Sequence, residues 1–272
     1  MEEDRLDRIY RISMKDKNYA QNGFTLIEMM VVIAIIALLV AMVTPAVTSS
    51  LRRGREAKCI SNLRSFGLAW NANYIEVTSN PLLPQEDAIA PWLSSLYPRF
   101  ISDPLTFICP SDVSRGAWGS KPAGPNESQL FRTRDTNDFP ETNDIGRHPD
   151  ITANSYMYEF SAAESQWAIG YVFKGDTGTA ADLVSSPMTW GEVKMLQLRF
   201  GDRSTSGIGQ RRVGYERTQF PLVRCFHHYN DRLVQVRNLD DNRIEPSFRV
   251  LNVAVAGNTF VSGLQWEYPI LP

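Results

Sequence analysis

Residues 23–45 read GFTLIEMMVVIAIIALLVAMVTP. From Phe24 to Val43 every side chain is apolar except Thr25 and Glu28. An α-helix needs about 20 such residues to cross a hydrocarbon core of roughly 30 Å. A carboxylate near the start of such a helix is costly unless something pairs with it. Glu28 therefore asks for a partner. Pro45 falls inside the helical pattern, where it deletes one backbone hydrogen bond and crowds the preceding turn, so a kink or local melt is expected there.

Upstream, residues 1–23 are polar and have no apolar core of their own, which argues against a conventional secretory signal. Their charges cancel, with Arg5, Arg8, Arg11, Lys15 and Lys17 set against Glu2, Glu3, Asp4, Asp7 and Asp16. A start at Met14 would leave MKDKNYAQNG, a short leader with two lysines and one aspartate, and is the expected one. Arg52, Arg53, Arg55 and Lys58 follow the apolar run, so charge alone does not orient it.

Downstream of Pro45 the pattern becomes amphipathic. Val47, Leu51, Ala57, Ile60, Leu63, Gly67, Trp70 and Tyr74 recur at mostly three- and four-residue spacing, with basic residues between them. One helix from Phe24 to about Glu76 would be roughly 80 Å long. Its second half, residues 45–76, should lay its apolar stripe on a soluble domain.

That domain is residues 77–272. Helix-breaking residues begin at Asn80-Pro81, and a short helix is expected over 92–97. Residues 107–109 read as a brief strand ending in the Pro110-Ser111-Asp112 turn. Residues 115–149 are rich in Gly, Pro, Asn, Ser and Asp and read as a long surface loop. Strand-like stretches dominate afterwards, at 154–160, 167–173, 188–200, 219–227, 233–237, 248–255 and 259–266. Ala256-Gly257-Asn258 joins the last two as a hairpin turn. Strands following one long helix predict an α+β fold, an antiparallel sheet with the helix on one face.

The chain has 272 residues, with 28 basic and 30 acidic side chains, and nothing in that balance suggests a nucleic-acid surface. There is no G-x-S-x-G elbow, HExxH, P-loop or GxGxxG, so no enzyme is expected. Cys225, His227 and His228 stand close together with Asp231 nearby. C-x-H-H would put neighbouring ligands on opposite faces of a strand, so these residues read as structural. His148 has no recognisable partner. Asp240, Asp241, Asn242 and Glu245 form an oxygen-rich turn of the hard ligands that suit calcium. The run matches no fixed calcium spacing, and a solvated turn is the plainer reading. No other cofactor is implied.

Gly23-Phe24-Thr25-Leu26-Ile27-Glu28, after a polar leader and before an apolar run closed by Pro45, resembles the processing site of type IV prepilins and type II secretion pseudopilins. Ser61 to Ala69, SNLRSFGLA, is similar to the helix end of large pseudopilin-like proteins. The resemblance implies a leader kept in the cytoplasm, cleavage after Gly23 by a prepilin peptidase and N-methylation of Phe24. It implies that Glu28 pairs with the N-terminal amine of a neighbouring subunit and that Pro45 loosens the helix for packing. The chain would be a single-span inner-membrane protein whose C-terminal domain is periplasmic, polymerising with itself and other pilins or pseudopilins at an inner-membrane assembly platform. Energy would come from a separate cytoplasmic ATPase. The large domain and the lack of a C-terminal disulfide loop favour a pseudopilin. The resemblance also brings a calcium site near the C-terminus of major pseudopilins. In an exported domain one disulfide is permitted, with Cys109 and Cys225 the candidate pair and Cys59 a small buried apolar residue. The competing reading is a membrane-tethered periplasmic binding module that presents aromatics such as Trp118 or Trp167 to a glycan or exported cargo.

Overall fold

The computed structural model describes residues 24–82, 88–117, 148–163, 189–201, 214–228, 233–238 and 242–271. The leader, the centre of the expected loop and the strand expected over 167–173 lie outside them. The chain divides into two compact units, Met1–Leu51 and Arg52–Pro272.

Helix α1 spans Leu26–Ser79 and contains Pro45. The helix continues through the proline, so the local melt expected there is absent. Thr44 and Thr48 turn their hydroxyls onto the carbonyls of Val40 and Pro45, at 2.7 and 3.0 Å, and bond locally to the helix backbone. Among the described residues α1 is long and apolar enough to cross a membrane. In the second unit its buried face is Cys59, Asn62, Leu63, Phe66, Gly67, Ala69, Trp70 and Val77. This shifts the expected stripe, because Val47, Leu51 and Ala57 are exposed and Phe66 is fully buried.

The sheet that this face covers has four antiparallel strands in the order β1-β2-β5-β6, with β1 Met157–Tyr158, β2 Pro221–Cys225, β5 Val250–Ala254 and β6 Thr259–Ser262. The fold is α+β: one long N-terminal helix, then an antiparallel β domain. Val223 pairs with Val253 and Cys225 with Leu251, and all four pack in one core with Leu63, Phe66 and Trp70 of α1. Each Val, Leu or Phe among them contributes about 1.5–3 kcal/mol on burial. Gly67 lets the β5–β6 hairpin approach, since a Cβ there would lie 2.7 Å from Val253 Cγ2. Gly257, at φ 91°, makes the expected turn. The Trp70 indole donates to Tyr158 Oη at 2.9 Å, and Tyr158 donates to the carbonyl of Ala90 at 2.8 Å.

Several expected strands change. Residues 188–200 form no strand: α2, Trp190–Phe200, occupies them. Thr189 and Glu192 close a reciprocal capping box at its start, and Gly201, at φ 80°, ends it. The brief strand over 107–109 is replaced by a 3-10 turn, Pro104–Phe107. A second 3-10 turn, Leu93–Leu96, stands where a short helix is expected. The stretch 154–160 yields only the two residues of β1. Strand β3, Leu233–Arg237, has the expected bounds and pairs with β4, Ile244–Phe248, a separate two-stranded sheet. Pro246 hides β4 from propensity, yet proline is tolerated in a strand with a free edge.

Candidate functional site

Helix α1 begins on Thr25 and Glu28. The amide and the hydroxyl of Thr25 both donate to Glu28 Oε2 at 2.8 Å, and the amide of Glu28 donates to Thr25 Oγ1 at 3.3 Å. Thr25-x-x-Glu28 is thus a capping box that satisfies two of the donors a helix start leaves open. Glu28 Oε1 accepts no hydrogen bond among the described residues. From Phe24 to Arg55 every residue of the single chain is exposed. Phe24 itself is 78% exposed, next to the Gly23 junction. An apolar surface this long needs lipid or other apolar helices to cover it.

Residues 18–44 match the prokaryotic N-terminal methylation motif. The methylation motif takes in Gly23, Phe24 and Glu28 and ends one residue before Pro45. It is consistent with a prepilin-like leader and supports a precursor of the type IV pilin-like or pseudopilin kind. No curated protein and no solved structure matches the chain.

Beyond the methylation motif, the structure separates residues that the sequence groups. Of the calcium candidates, Asp240 and Asp241 lie outside the described residues. Asn242, at φ 60°, belongs to the connection between β3 and β4, and Glu245 on β4 accepts from the Asn238 side chain at 3.3 Å. His148 packs edge-on against Tyr97 at 4.9 Å. Trp118, Trp167 and Asp231 also fall outside the described residues.

The candidate pair Cys109 and Cys225 is not bonded, and all three cysteines are free and buried. They gather with a fourth residue. The ligand atoms of Cys59, Cys109, Cys225 and His228 all lie within 4.8 Å of one another. Each comes from a different piece of the chain: α1, the Cys-Pro-Ser-Asp turn, the last residue of β2, and the turn after it. Cys109 Sγ is 3.5 Å from His228 Nε2 and accepts from the amide of Ser111 at 3.4 Å. Tyr156 Oη donates to Cys59 Sγ at 3.8 Å and accepts from Asn62 Nδ2 at 3.1 Å. Hydrogen bonds from Cys225 and Cys59 hold the Cys109 thiol far below its ordinary range, while burial pushes Cys59 and Cys225 up.

Cys225 and His228 converge, contrary to the strand alternation expected, because β2 ends at Cys225 and the chain turns. His227 instead faces Asp112, Nε2 to Oδ2 at 3.6 Å, and burial holds its imidazole below the usual range. Asp112 also ties the turn that presents Cys109: its carboxylate accepts from the amides of Ser114 and Gly116 and from the hydroxyl of Ser155, at 2.8, 2.6 and 2.6 Å.

On the opposite face of the sheet, Glu159 meets Lys194 at 3.3 Å and Arg224 at 3.4 Å, with all three side chains buried. Trp190 of α2 donates to Glu159 at 3.2 Å, and Arg224 reaches Asn252 Oδ1 at 3.1 Å and the Leu264 carbonyl at 2.7 Å. The cluster ties α2 and the C-terminal segment to the sheet.

Proposed function

We propose that the chain is a non-enzymatic structural subunit of a type II secretion pseudopilus or type IV pilus-like filament. A prepilin peptidase cuts after Gly23 and methylates the new amine of Phe24. Before assembly the first half of α1 holds the chain in the inner membrane, with the globular unit in the periplasm. At the assembly platform the same helix leaves lipid and packs against the helices of other subunits. The large globular unit and the lack of a C-terminal cysteine pair favour the pseudopilus.

One observation carries this reading: the methylation motif coincides with a helix start whose apolar surface is wholly uncovered in the single chain. Within a bundle of such helices a carboxylate needs a counter-charge, and a neighbour's N-terminal ammonium can supply it through the unused Glu28 Oε1. The pairing would also fix axial register between subunits. Glu28→Ala in a host that assembles the wild-type chain tests this. Cleavage and membrane insertion should persist while the chain is lost from the sheared or cross-linked filament fraction. Wild-type amounts of the variant in that fraction would refute it.

A further inference from the structure

We propose that Cys59, Cys109, Cys225 and His228 form a closed four-coordinate site for one zinc ion, which pins α1 to β2 and to the Cys-Pro-Ser-Asp turn. This goes beyond the filament role and does not depend on it.

Ligand type and number come first. Three thiolates and one imidazole are a structural zinc set, and soft sulfur donors exclude calcium and magnesium as occupants. Geometry agrees. A zinc tetrahedron has edges of about 3.8 Å between sulfurs and about 3.6 Å between sulfur and nitrogen. The four ligand atoms already lie within 4.8 Å of one another, and the Cys109–His228 edge is 3.5 Å. A contraction of the longest edge by about 1 Å would close the shell.

Burial sets the kind of site. Cys59 and Cys225 are fully buried, Cys109 and His228 nearly so. No face is left for water or substrate, which is the mark of a structural rather than a catalytic centre. The surroundings are those of a ligand shell. The Ser111 amide and the Tyr156 hydroxyl both point at sulfur, and Asn62 holds Tyr156 in place. Asp112 fixes the turn that carries Cys109. On loading, the thiol protons pass to solvent and the sulfurs bind as thiolates. Three thiols in mutual reach cannot all enter disulfides within one chain. A metal satisfies all of them, and it satisfies His228 as well.

The test uses the full chain purified in detergent without chelators, with metal measured by mass spectrometry. About one zinc per chain is expected, with the three thiols protected from a maleimide until the protein is denatured with chelator. Cobalt loading should give sulfur-to-cobalt charge transfer and the strong visible bands of a tetrahedral site. Cys225→Ser should lose the metal. Because that variant can also lose its fold, His228→Cys serves beside it: it keeps four soft ligands and should retain zinc with shifted cobalt bands, and His148→Gln should leave both unchanged. Wild-type chain without zinc above the buffer blank would overturn the proposal, as would a mass two hydrogens light from a Cys–Cys bond. Equal zinc in wild type and Cys225→Ser would also overturn it, as adventitious binding. None of these results bears on cleavage after Gly23.

Discussion

Thr25 and Glu28 hold each other across the first turn of α1, each backbone amide donating to the other's side-chain oxygen. Thr189 and Glu192 repeat the arrangement at α2. A carboxylate four residues after Phe24 therefore has a local role, closing a helix start, besides the charge pairing proposed for the filament. Glu28→Gln separates the two. Glutamine also serves the third position of a capping box, so the helix start is kept while the charge is removed. Loss of Glu28→Gln from filaments, to the level of Glu28→Ala, is expected. Thr25→Ala, which weakens the cap by about 1 kcal/mol but keeps the charge, should still assemble. Normal assembly of Glu28→Gln would make capping the whole role.

Gly67 marks a close approach of α1 to the sheet. A methyl group there would meet Val253 Cγ2 at 2.7 Å and the Gly257 backbone at 3.2 Å. Overpacking of this kind costs about 1–3 kcal/mol. Gly67→Ala should therefore lower the denaturation midpoint of the globular unit, followed by near-ultraviolet circular dichroism, with cleavage unaffected.

Glu159 is the anion shared by Lys194 and Arg224 in a buried cluster. Removing one partner of such a cluster strands the others, at about 3–5 kcal/mol. Glu159→Ala should destabilise the full chain by that order in urea unfolding. A change below about 1 kcal/mol, typical of exposed pairs, would show that solvent reaches the cluster.

The start of α1 was the most legible part of the chain, because an apolar run, a polar leader and Gly23-Phe24 with Glu28 are local signals. The second half was legible in kind. Its buried face runs through Cys59 and Phe66 rather than Val47 and Leu51, since the first two meet the sheet and the last two belong to the exposed stretch. Residues 188–200 carry strand-like residues, Trp190, Val193 and Leu198 among them, but Thr189-x-x-Glu192 is a helix-start signature, and the cap prevailed. The four-residue cluster was hidden for a different reason. Its ligands come from four segments, and spacing along the chain holds no trace of a site that only the packing of α1 on β2 brings together. The one local pair, Cys225 and His228, is incompatible only on a continuous strand, and β2 ends at Cys225.

Processing at Gly23-Phe24 is tested most directly by mass spectrometry of the mature N-terminus, taken from cells that carry a prepilin peptidase. The expected species begins at Phe24, lacks residues 1–23 and bears one methyl group on its α-amine. A membrane-inserted chain that keeps its leader, or one cut elsewhere and unmethylated, would contradict the filament-subunit reading.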